Sequence, residues 1–258
     1  TLYLRDVQTG KDLPDVIPFT QYCSVGWNHD GTGFFYSRCP DPNTVPAGEE
    51  NFYIRVYFHQ LGADWQQDRY VWGENRPKDE EPAPYASSDE RWMLLSTSRD
   101  PAKNDLYYAR LEDGWPLTPI AQGLDALTSG DVVDGRLYIR TNYQAPRYRI
   151  CATSLLQPQP AHWRDLVPEQ KGVIDGYGIV DRKLVVHVTE DLRSRVFVYD
   201  LDGKLLEEVP LPGLGTITSY RGGTGTFSSF SGALDSPNLY FRYSSWVVAP
   251  ATYCYNLR

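Results

Sequence analysis

The chain lacks several things, and each shortage removes a class of function. It holds one methionine, Met93, and opens on Thr1, so it is expected to begin inside a longer protein. Cysteine is confined to Cys23, Cys39, Cys151 and Cys254, with no Cys-x-x-Cys, which argues against a zinc knuckle or a redox dithiol. Such sparse usage fits a reducing, cytoplasmic setting, with the periplasm as the alternative. His29, His59, His162 and His187 are scattered, without His-x-x-x-His or a carboxylate at ligand spacing, so no metal and no cofactor is expected. No apolar run approaches the ~20 residues of a membrane helix, and no signal peptide is visible. The net charge of −8 comes with no Lys/Arg cluster to neutralise phosphates. Neither a membrane nor a nucleic acid is therefore expected as a partner. Helical periodicity is almost absent, and Ala161–Asp165 is the best candidate for a single helical turn. No Gly-x-Ser-x-Gly elbow occurs, so the chain itself is expected to have no hydrolytic chemistry. Ser228, Ser229 and Ser231 near Gly225 and Gly232 have the right composition but the wrong spacing, and read as a Ser/Gly-rich sheet edge.

What is abundant is aromatic. Aromatic residues make up 14% of the chain, with 19 Tyr and 7 Trp, types that fit a pleated, half-buried surface. Strand-like runs recur every ~45–60 residues, the range of a four-stranded propeller blade. Second strands are expected at 34–37, 93–96, 137–140, 184–187 and 239–242. Third strands are expected at 52–59, 106–111, 148–154, 195–201 and 252–257. Between them stand turn signals such as Asp30-Gly31, Asp134-Gly135 and Asp181-Arg182. The implied fold is all-β, a β-propeller rather than a sandwich. Residues 1–20 read as outer strands of an incomplete blade, and 21–75, 83–123, 124–170, 171–214 and 215–258 as successive blades. About five full units are too few for a six- or seven-bladed ring, so the ring is expected to be incomplete. Cys23 and Cys39 are equidistant from Gly31 in the first hairpin, leaving open two free thiols or a cross-strand disulfide. The acidic runs Glu49-Glu50 and Asp79-Glu-Glu81 read as solvated loops. Arg99-Asp100-Pro101 and Thr189–Arg193 read as inter-strand loops with Asp–Arg pairing, or as contacts to a partner domain.

Four stretches carry a family resemblance. Val25-Gly-Trp-Asn-His-Asp-Gly-Thr-Gly-Phe-Phe-Tyr36, Arg140-Thr-Asn-Tyr-Gln-Ala-Pro-Arg-Tyr-Arg149, Leu166-Val-Pro-Glu169 and Arg242-Tyr-Ser-Ser-Trp-Val-Val-Ala-Pro-Ala-Thr-Tyr253 resemble, in order, segments of the prolyl oligopeptidases. These are serine peptidases that cleave short peptides after proline. The resemblance implies a seven-bladed propeller that gates and selects substrate for an α/β-hydrolase peptidase domain, the expected partner of this chain along with short proline-containing peptides. It also implies substrate-wall roles for Phe35, by its match to Gly-x-Phe-Tyr, and for Leu94 in the equivalent strand of the next blade. A free-standing propeller that binds a peptide or protein is the alternative. A five-bladed glycoside hydrolase would need two central carboxylates, for which no pattern is evident.

Overall fold

The computed structural model describes residues 1–111, 114–218, 220–221 and 227–258, whose regular structure is strands and short 3-10 turns. The chain divides into two compact units, Thr1–Gly123 and Leu124–Arg258. Unit 1 opens with an antiparallel hairpin, β1 (Leu2–Arg5) and β2 (Asp12–Ile17). A four-stranded sheet follows, built in sequence order from β3 (Val25–Trp27), β4 (Gly33–Arg38), β5 (Arg55–Gln60) and β6 (Arg69–Trp72). Its neighbour repeats the order with β7 (Glu81–Ala86), β8 (Trp92–Asp100), β9 (Lys103–Arg110) and β10 (Thr118–Ala121).

Unit 2 holds two more such sheets. One is β11 (Thr128–Val133), β12 (Arg136–Thr141), β13 (Arg149–Ser154) and β14 (Arg164–Val167); the other is β15 (Val173–Val180), β16 (Lys183–Glu190), β17 (Arg193–Tyr199) and β18 (Leu205–Val209). The last sheet is built from β19 (Thr216–Ile217), then, beyond a small ribbon of β20 (Tyr220–Arg221) and β21 (Phe227–Ser228), from β22 (Asn238–Ser244) and β23 (Ala251–Asn256). It has three strands where a full repeat has four: the described residues supply no partner for the outer edge of β23.

Side-chain alternation explains why these sheets stack. In β16, Leu184, Val186 and Val188 point to one face and join Tyr138, Ile150 and Ile174. Val185, with Val196 and Val198 of β17, points to the other and meets Ile217, Leu239 and Phe241. A strand covered on both faces reads as a continuous apolar run, which is why the second strand of each repeat stands out in the sequence. Two-residue turns between first and second strands use positive φ at both positions, Asp134 (52°) with Gly135 (74°) and Asp181 (49°) with Arg182 (54°). That geometry matches the twist of a tight hairpin.

Two local expectations change, and one left open is settled. Ala161–Asp165 is not a helical turn as a unit: a 3-10 turn covers Pro160–His162, and Arg164 and Asp165 already belong to β14. The first strand of the β3–β4 hairpin starts at Val25, not Tyr22, because Tyr22 sits exposed at φ 58°. Cys23 and Cys39 are free thiols. The β3–β4 pairs Val25–Tyr36, Gly26–Phe35 and Trp27–Phe34 are centred between Asp30 and Gly31, half a residue short of Gly31. Extending that register past the end of the ladder would set Cys23 opposite Arg38. The Cys39 thiol instead donates to the Gln21 carbonyl at 3.7 Å.

Candidate functional site

Phe35 lies in the middle of β4 opposite Phe58 of β5, with ring centroids 5.0 Å apart. Its face meets Met93 and Ala109, themselves a cross-strand pair of β8 and β9, so the contact joins the two four-stranded sheets of unit 1. Trp115 closes the patch, edge-on to Phe35 at 5.0 Å and tilted against Phe58 at 4.8 Å. The Arg69 guanidinium covers the indole at 4.1 Å and donates to the Gly114 carbonyl at 2.9 Å. Phe35 is 1% exposed and Leu94 0%. They do not share a surface. Leu94 follows Met93 along β8 and so points to the opposite face of its sheet. The residue that the structure brings to Phe35 is Met93. Sequence reasoning missed it because equivalence of strands fixes the blade position but not which face a residue takes.

The histidines occupy two buried polar networks that local spacing did not reveal. In unit 1, His59 Nε2 stands 2.9 Å from Asp15 Oδ1 and Nδ1 2.8 Å from Asp68 Oδ1. Tyr36 donates its hydroxyl to Asp68 at 2.6 Å, and the Gly62 amide donates to Asp15 at 2.5 Å. Burial works against the Asp15 charge, yet the bonds from His59 and Gly62 hold its carboxyl below the usual range. Burial pushes the Tyr36 phenol up, and its bond to Asp68 pushes it further. In unit 2, His187 lies between two hydroxyls, Ser229 at Nδ1 and Ser194 at Nε2, each 2.8 Å away. Burial drives its imidazole down to about 4, against the nearby Asp175 carboxylate, which raises it.

Ser229, His187 and Asp175 are the residue types of a hydrolytic triad but not its geometry. Asp175 stops 4.0 Å from His187 Nε2, the nitrogen that Ser194 occupies. Ser229 is buried and follows a strand, where a nucleophile elbow exposes its serine on a strand-to-helix turn. Ser231 bridges to Tyr240 through its backbone. Gly225 and the Ser228 side chain lie outside the described residues. Among the described residues no group of three His, Cys, Asp or Glu could hold a metal ion, and no helix is long and apolar enough to cross a membrane.

The stretches at 140–149 and 166–169 tie together two sheets of unit 2. The Glu169 carboxylate accepts from the Arg147 amide at 2.7 Å, and the Arg147 carbonyl accepts from the Ile174 amide at 3.0 Å. Arg140 donates to the Ile174 carbonyl at 2.8 Å and lies 3.6 Å from the Tyr148 ring. Their role is to fix the approach of neighbouring strands. Arg99 reaches Asp79 at 2.8 Å rather than its neighbour Asp100. The β16–β17 turn engages Lys171, 3.1 Å from Asp191. A cleft of about 560 Å³ in unit 2 is lined by Arg136, Thr153, His162, Trp163 and Arg164, and holds neither Phe35 nor Leu94.

Four-stranded antiparallel sheets that run in sequence order and stack face to face on a neighbour within each unit are the blades of a β-propeller. The comparisons narrow that class. The family described as "Prolyl oligopeptidase, N-terminal beta-propeller domain" matches residues 1–258, and the chain belongs to it. It is similar to a prolyl endopeptidase of Elizabethkingia meningoseptica, 26% identical over 264 residues, which cover 99% of this chain and 35% of that protein. Prolyl oligopeptidase A of Galerina marginata is 25% identical over 219 residues, 78% of this chain and 29% of the relative. Among solved structures, one from a structural and mechanistic analysis of two prolyl endopeptidases aligns over 99% of this chain and 36% of its own length, with TM-score 0.88 at 24% identity. The apo form of prolyl oligopeptidase B from Galerina marginata aligns over 97% of this chain and 34% of its own, with TM-score 0.81 at 18% identity. The chain thus spans about a third of the length of these relatives.

Proposed function

We propose that this chain is the gating and substrate-selecting propeller of a serine endopeptidase that cleaves short peptides after proline, working beside an α/β-hydrolase domain of the same protein. The observation that carries the reading is the family match across residues 1–258 in a chain that spans a third of its peptidase relatives. The physical role is steric. Stacked sheets with dense cores yield little to a bulky ligand, so they can filter by size without chemistry of their own. The apolar wall on the substrate side would be Phe35 together with Met93, and Leu94 would support it from the opposite face of β8. A ligand reaching Phe35 must displace Trp115, which covers it.

The test uses the longer protein that carries this chain with its hydrolase portion. Cleavage of proline-containing peptides should fall steeply as peptide length grows, and Phe35→Leu should raise KM for peptides with an apolar residue two places before the proline. The 258-residue chain alone should cleave nothing. Equal rates on short and long substrates, or hydrolysis by the isolated chain, would overturn the reading. A reading frame that stops after Arg258 would favour the free-standing interaction propeller instead.

A further inference from the structure

We propose that Asp15, His59 and Asp68 form a proton-dependent clasp that locks the β1–β2 hairpin onto the β3–β6 sheet, and that the hairpin loosens when the clasp loses its proton. The hairpin reaches the sheet through two kinds of contact. Leu4 and Ile17 pack on Phe34 and Tyr36, and Asp15, the buried charge of β2, enters the same interface. There its Oδ1 meets His59 Nε2 at 2.9 Å while Asp68 Oδ1 meets Nδ1 at 2.8 Å, and all three side chains are 1–2% exposed.

The proton follows from hydrogen-bond arithmetic. A neutral imidazole has one N–H and one lone pair. With carboxylate oxygens at bonding distance on both sides, a neutral ring would set its lone pair against an oxygen lone pair in a dry site. Both contacts are attractive only if the cluster carries one more proton, as an imidazolium between two carboxylates or as a protonated Asp68 beside a neutral ring. Asp15 remains ionised in either case, since the Gly62 amide also donates to it. The charged groups facing the ring are Asp15 from β2 and Asp68 from the segment before β6. The Tyr36 hydroxyl of β4 stands one step out, on Asp68. Arg38, stacked 4.0 Å over Tyr57 and 4.7 Å over Trp65, is the next cation along β4. The rings of Phe34, at 5.3 Å, and Tyr36, at 6.5 Å, keep water from the imidazole.

The sign is fixed by the partner type. A histidine that gains carboxylate partners on folding stabilises the docked state while it is protonated. That contribution is lost as pH rises through the point where the cluster gives up its proton. The Asp15 carboxyl, held low, sets the other limit: the clasp also weakens in strong acid, when Asp15 is protonated. Docking is therefore strongest between the two limits.

Histidine-selective ¹⁵N NMR on the 258-residue chain reads the ring directly, and hydrogen exchange of the peptide spanning 1–20, corrected for intrinsic exchange, reads the hairpin. Two arrangements of the extra proton are expected while the clasp is closed: both His59 nitrogens protonated, or one N–H with a protonated Asp68 visible by ¹³C. As the cluster deprotonates, hairpin opening should become at least about tenfold more frequent, the equivalent of one charge-assisted bond. Peptides from β12 and β13 should not change. In His59→Gln the opening should be frequent and independent of pH over the same range. A singly protonated ring beside two ionised aspartates in a fully protected hairpin would overturn the proposal. So would deprotonation without faster opening, or a His59→Gln chain that keeps the wild-type pH dependence.

Discussion

Gly26 is the position where the stacking of sheets in unit 1 can be tested by one methyl group. It sits in β3, and a Cβ built there would lie 2.8 Å from the Tyr85 Cα and 3.0 Å from the Ala86 amide nitrogen, both backbone atoms of β7. Carbon atoms pack best at ~3.5–4.0 Å, so β3 and β7 must separate by over half an ångström to admit alanine. Backbone cannot swing aside as a side chain can, and the same displacement would strain the Phe35–Met93 contact behind it. Overpacking of this kind costs ~1–3 kcal/mol. The upper half of that range is expected for Gly26→Ala, a fall in Tm of ~4–10 °C for a chain of this size. Gly31→Ala supplies the control. Gly31 has φ +66° and nothing within 4 Å, so alanine there meets only the ~1–2 kcal/mol of a left-handed backbone. Urea unfolding followed by tryptophan fluorescence suits the comparison, because Trp27, Trp65, Trp72, Trp92 and Trp115 all belong to unit 1. Gly26→Ala should lower the midpoint more than Gly31→Ala, with little change in m-value. If Gly26→Ala matches wild type, the close approach of β3 to β7 is not a constraint and the argument fails.

Three further outcomes are expected. His187 titrates in the fold at about 4, below its ordinary 6.5, so the unfolded chain takes up its proton first as pH falls. Stability present above pH 6.5 should thus be lost between 6.5 and 4, by ~3 kcal/mol, and a His187→Gln chain should show a shallower acid slope in urea titrations. Native thiol titration should find Cys254 reacting fast, because it alone of the four is exposed; burial pushes the Cys151 thiol up to about 12 and the Cys23 thiol up to about 11. Four equivalents reacting at one rate without denaturant would contradict this. Tyr177→Phe removes a buried bond from the phenol to the Tyr138 carbonyl at 2.9 Å. It should cost ~1–2 kcal/mol of unfolding free energy, and a neutral result would mean that water replaces the phenol at that carbonyl.

The fold was legible because its signal is local and repeated. Leu184-Val-Val-His187 and Leu137-Tyr-Ile-Arg140 announce strands covered on both faces, and Asp134-Gly135 announces the turn between two of them. What the sequence could not supply was register to within one residue, and one residue decides everything about a side chain in a sheet. The first hairpin is centred half a residue short of Gly31, so its register does not set Cys23 opposite Cys39. A one-residue step along β8 hands the contact with Phe35 to Met93 instead of Leu94. The histidine networks were hidden for a different reason. Asp15 and His59 lie 44 residues apart, and no spacing rule links a hairpin to the third strand of the next sheet. Yet once the sheets stack, each buried histidine must find two partners, and the partner type decides its behaviour. Between the hydroxyls of Ser194 and Ser229 a neutral ring is satisfied, and acid is the threat. Between the carboxylates of Asp15 and Asp68 a proton is required, and base is the threat. Unit 2 should therefore lose stability as pH falls through the His187 imidazole, whereas the clasp of unit 1 loosens as pH rises and again in strong acid, though both units are built from the same repeating strand order.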